Sequence, residues 1–155
     1  MSLFYSVVFP QDAPDLQPLV SRAATEYDAS LKALNQQYEE FLLQNGELLL
    51  DLRASDKADY YELSFGEYHY KKRWHVTLGK KDTVAASSFF LQLVGKVARE
   101  FPVDFLVLFN GQLVLLKKEA GKLYLNREAS TWDNHEKRAI FQGLNQESVS
   151  YPVNF

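Results

Sequence analysis

The chain has 155 residues and a mass of 17.9 kDa, with 46% hydrophobic residues, 14% aromatic residues and a net charge of −3, values that fit one domain with a substantial core and exclude a disordered segment. It has no cysteine, which excludes a disulfide scaffold, a thiolate metal site and a cysteine nucleophile, and fits a reducing compartment. The opening MSLFYSVVFP lacks a basic leader and no apolar run approaches the roughly 20 residues of a membrane span, so the expectation is a soluble cytoplasmic protein with no membrane partner.

In chain order, Leu3 to Phe9 reads as a strand ended by Pro10. Asp12 or Asp15 then caps a helix, with Pro14 and Pro18 tolerated only in its first turn. Val20, Ala24, Tyr27, Leu31, Leu34, Tyr38 and Phe41 alternate in steps of four and three, which predicts one helix of about 27 residues running to the Gln44 to Gly46 stop. The same stripe would serve as the seam of a homodimer, or lie on a sheet.

Three antiparallel strands follow, over Glu47 to Arg53, Asp59 to Phe65 and Tyr68 to Leu78, the last two joined by a turn at Gly66-Glu67. Asp82 or Thr83 caps a second helix that Pro102 ends. Phe105 to Phe109 is apolar at every position, the mark of a strand covered on both faces, and Asn110-Gly111 favours a type I′ hairpin turn into the next strand. Gly121 returns a third strand through Leu123 and Leu125; a short helix begins at Ser130 or Thr131, and SVSYPVNF is a tail or edge strand. The expected fold is a single α+β domain over residues 1–155, with a mixed or largely antiparallel sheet of about six or seven strands and two main helices, in the order β-α-β-β-β-α-β-β-β-α.

The stretch EYHYKKRWHVTLG, Glu67 to Gly79, concentrates two of the three histidines and one of the two tryptophans. As an unbroken strand it puts Tyr68, Tyr70, Lys72, Trp74, Val76 and Leu78 on one face and His69, Lys71, Arg73, His75 and Thr77 on the other. His69 and His75 would then stand about 20 Å apart, too far for one metal ion, and the aromatics would point away from the bases, which counts against nucleic-acid binding. A half-buried strand with a solvated basic face and a protein-recognition surface both remain.

No nucleophile elbow, His-Glu-x-x-His motif or glycine-rich phosphate loop is present, and no cofactor is implied. His135 stands near Asp133 and Glu136, an arrangement that serves either an ordinary capped helix or a catalytic histidine with an orienting carboxylate. Charge is uneven: residues 1–65 carry eleven acids against four bases, and residues 66–155 nine against thirteen. The resulting expectation is a non-enzymatic binding protein of the inhibitor or immunity type, which neutralises a toxin or effector by direct contact. Either Glu39, Glu40, Asp51, Asp56 and Asp59 meet a basic partner, or His69, Lys71, Arg73 and His75 an acidic one. The rival expectation is a small hydrolase or nucleotide-processing enzyme using a histidine and a carboxylate, from His135, His69 or His75.

Overall fold

A computed structural model of the chain describes residues 3–35, 39–63 and 65–150. Eleven strands and three α-helices are present among them, in the order β1 (Phe4–Phe9), α1 (Leu16–Glu26), β2 (Ser30–Asn35), β3 (Glu40–Asn45), β4 (Leu48–Ser55), β5 (Asp59–Leu63), β6 (Gly66–Tyr70), β7 (Lys72–Leu78), α2 (Thr83–Glu100), β8 (Phe105–Phe109), β9 (Leu113–Glu119), β10 (Lys122–Asn126), α3 (His135–Ala139) and β11 (Gln146–Val149). Nine strands form one sheet in the order β11-β10-β9-β8-β1-β7-β4-β3-β2, antiparallel throughout except for the β10–β11 pair, while β5 and β6 form a separate hairpin. The α+β class stands; the sheet is larger than the six or seven strands expected.

The extra strands come from the first helix. α1 ends at Glu26 because Asp28 takes the left-handed conformation, φ +51°, and closes a paired-bond stop in which the Asp28 amide donates to the Thr25 carbonyl and the Ala29 amide to the Ala24 carbonyl, at 2.8 Å for the latter. The predicted 27-residue helix is thus divided. Val20 and Ala24 stay on α1, whereas Leu31 and Leu34 lie on β2 and Phe41 on β3, so there is no continuous helical seam for a homodimer. Tyr38 lies outside the described residues. Gly46, expected to stop that helix, instead turns β3 into β4 with φ +59°.

Strand β1 keeps Tyr5, Val7 and Phe9 on the face covered by both long helices, where they join Leu19, Phe41, Leu52, Trp74, Val76, Phe90 and Val94 in the main core. α2 starts where expected, with the Asp82 carboxylate accepting from the Ala85 amide at 3.1 Å. Its last turn is closed by an unusual cap: the buried Lys118 ammonium donates to the Ala98 and Phe101 carbonyls at 3.0 and 2.8 Å. Burial pushes this amine's pKa down.

Strand β8 is covered on both faces, as its composition predicts. Phe105 and Val107 belong to the main core, and Leu106 and Leu108 join Val8, Val114 and Tyr70 in a smaller one on the other side. The cover there is the β5–β6 hairpin, which lays Tyr61, Leu63, Phe65 and Tyr68 over the sheet. Asn110 and Gly111 both have positive φ, but the loop has three residues, closing Phe109 against Leu113; the two-residue turn with two positive φ angles is Ala120-Gly121. Asn110 also bonds β1 twice, its amide donating to the Phe4 carbonyl and its Oδ1 accepting from the Phe4 amide.

Candidate binding face

The hairpin protects only half of the sheet's second face. Over the β8–β1 half it buries apolar side chains; over β7, β4, β3 and β2 the side chains on this face are half-buried or exposed. The register places them in rows across the strands. One row runs Ser6, His75, Arg53, Glu40; the next runs Phe4, Thr77, Asp51, Leu42, Lys32. Arg73 stands two residues before His75 on the same face.

His75 is the centre of this surface. Its ring packs on Phe4, centroids 4.8 Å apart, and its Nδ1 is buried without a hydrogen-bond partner among the described residues. Directly across β1, the Ser6 hydroxyl is also buried and unpartnered. Burial holds the His75 pKa down, and the Arg73 and Arg53 guanidiniums add to the effect against a smaller pull from Asp51. Arg53 is tied to Asp51 through two bonds of 3.2 and 3.3 Å, with Glu40 4.0 Å away. Arg73 sits beside the Tyr70 hydroxyl and has no carboxylate in ion-pair range among the described residues.

The strand that was expected to run unbroken from Tyr68 to Leu78 breaks at Lys71, and this redistributes its side chains. Tyr68 and Tyr70 pack in the smaller core, while Trp74, Val76 and Leu78 pack on the opposite side of the sheet against the helices. Trp74 is 1% exposed, in edge contact with Phe9. Lys72 shares its side of the sheet and reaches Glu39 and Asp56 at 3.4 and 3.6 Å. His69 leaves the sheet with the hairpin, where its Nε2 lies 2.9 Å from a Glu67 carboxylate oxygen.

The basic and acidic sets therefore divide by location and not by sign. Arg73 and His75 share the open face with Glu40 and Asp51. His69, Lys71 and Asp59 line a cleft of about 460 Å³ with Pro10, Tyr60 and Tyr70, in which Tyr60 packs on His69. Glu39 and Asp56 are held by Lys72. His135 lines a separate groove with Arg138 and Gln142, and its imidazole makes no hydrogen bond or ion pair among the described residues. No group of three His, Cys, Asp or Glu could hold a metal ion among the described residues, and no helix there is long and apolar enough to cross a membrane.

Phe4, Ser6, Arg53, Leu42 and Lys32 are among the face's unpredicted members. The alternation of β1 could have found the first two, since placing Tyr5, Val7 and Phe9 in the core leaves Phe4, Ser6 and Val8 opposite. Arg53 is visible only through the β4–β7 register. No family model matches the sequence, and no curated protein or solved structure shows significant similarity to it.

Proposed function

We propose that this chain is a non-enzymatic cytoplasmic binding protein that engages a protein partner through the uncovered half of its sheet, as an inhibitor or immunity-type protein does when it covers the working surface of a toxin or effector. The observation that carries the reading is the asymmetry of one sheet face: the chain spends a hairpin of aromatics on one half and leaves the other as a broad surface of mixed charge around the Phe4–His75 contact. Such a surface has the composition of a recognition interface, with arginine and aromatic anchors inside a polar surround. Arg53 and Asp51 pair with each other on this face at 3.2 Å.

The test is a comparison of captures from the native cell. Wild-type protein and an Arg138→Glu control, altered on the α3 groove, should retain the same stoichiometric partner, and Lys32→Glu combined with Arg53→Glu should lose it. Retention by the double variant would contradict the open-face assignment.

One observation favours a second reading, hydrolysis or nucleotide processing at the β5–β6 cleft. The His69–Glu67 pair is a histidine with a carboxylate at hydrogen-bond distance, adjoining Tyr60, Lys71 and Asp59. Its side chains are 69% and 55% exposed, so solvent weakens the carboxylate's hold on the imidazole. If an activity is found, His69→Ala must reduce its turnover; unchanged turnover removes this reading.

A further inference from the structure

We infer that the open face selects an acidic protein segment, an Asp or Glu side chain of the partner lodging against Arg73, His75 and Arg53, and that His75 takes up a proton from solvent as the complex forms. This rests on the open-face reading and deepens it by naming the partner's chemistry.

Three cationic or protonatable groups meet there with too few carboxylates. Arg53 engages both nearby acids, Asp51 and Glu40, while Arg73 has the Tyr70 hydroxyl beside it and no carboxylate in range among the described residues. The charged groups facing His75 are Arg73 on its own strand and Arg53 and Asp51 on β4; β1 contributes only uncharged Phe4 and Ser6. In the free protein partial burial and the two guanidiniums hold the imidazole's pKa below its ordinary value, which disfavours the protonated ring. A carboxylate arriving between Arg73 and His75 reverses that balance, since an opposite charge at close range favours the protonated ring.

When His75 is charged both ring nitrogens are donors. Its Nδ1 is buried with no partner among the described residues, as is the hydroxyl of Ser6, the residue paired with it across β1. Phe4 beneath the ring adds an aromatic face that attracts the imidazolium. A polynucleotide fits less well, because Asp51 and Glu40 on the same surface would repel a continuous run of phosphates.

Linkage then gives a sign: affinity for an acidic ligand rises as the pH falls toward the ordinary imidazole range. The probe is a hexaglutamate peptide added to the full chain labelled at histidine, with each imidazole followed by NMR through a pH titration. The expected result is a rise of about one pH unit in the His75 midpoint at saturating peptide, with His69 and His135 unmoved, and loss of that rise in Arg73→Gln and in the exposed variant Arg53→Gln. A His75 midpoint indifferent to the peptide, equal movement of all three histidines, or an equal effect from hexathymidylate would overturn the inference. Failure here is distinct from failure of the open-face reading: a captured partner that Lys32→Glu with Arg53→Glu releases, but that leaves the His75 midpoint in place, sustains the face and rejects the carboxylate.

Discussion

At the scale of single residues, three side chains carry unusual burdens. Lys118 is 7% exposed and satisfies two carbonyls at the end of α2. Replacing it by Met keeps most of the packing but strands both acceptors, so urea unfolding should show a loss of about 2 kcal/mol or more; a loss within error would mean that solvent reaches those carbonyls. Trp74, buried against Phe9 at the middle of the main core, should cost about 3–5 kcal/mol when cut to Ala. His75 makes stability depend on pH. Its folded pKa lies below the ordinary 6.5, so just below that value the unfolded chain holds a proton that the folded chain refuses. The stability contributed by its neutral form is complete above the unfolded pKa and is lost as the pH falls through the folded one. His75→Gln should flatten that part of the profile of unfolding free energy against pH, and identical slopes in both proteins would contradict the depressed value.

At the scale of elements, the legible parts are those whose signals are local and strong. Pro10 after β1, the Asp82 cap of α2, the uniformly apolar β8 and the Asn110-Gly111 and Gly121 turns each act within a few residues and appear at their predicted places. The long first helix was misleading for a specific reason: its stop signal is Asp28, a residue that tolerates the left-handed region less well than glycine and therefore marks it weakly. The four-and-three spacing beyond it coincides with a strand pair in which only Phe41 and Leu43 of β3 are buried, an alternation of two. Asp28→Gly should accordingly raise stability by about 0.5–1 kcal/mol, and Asp28→Val lower it, in thermal or urea unfolding; a destabilising glycine would show that the turn is held by the aspartate itself. The break at Lys71 is equally cryptic, since neither glycine nor proline marks it, and it moves Tyr68 and Tyr70 from the predicted face of Trp74 to the other layer. Of the candidate site, the histidines and bases were visible by composition, but their neighbours depend on strand register, which pairs residues far apart in sequence.

At the scale of the whole molecule, the organisation follows from where apolar area is spent. Two helices cover one side of a nine-stranded sheet and a hairpin covers half of the other, which leaves β7, β4, β3 and β2 to present Arg73, His75, Arg53, Asp51 and Glu40 side by side. The division of charge between the two halves of the sequence does not survive folding as opposed patches; it becomes a mixed face, because β4 and β7 pair directly. A mixed face on which one arginine, Arg73, has no carboxylate in ion-pair range among the described residues orients a partner more than it attracts one at long distance. The most direct test of the open face is hydrogen exchange of the chain with and without its captured partner. Slowed exchange is expected over residues 40–53 and 72–78, with α2 and α3 unchanged; protection concentrated on the helices or in the β5–β6 cleft, with those strands unaffected, would contradict a partner seated on the open face.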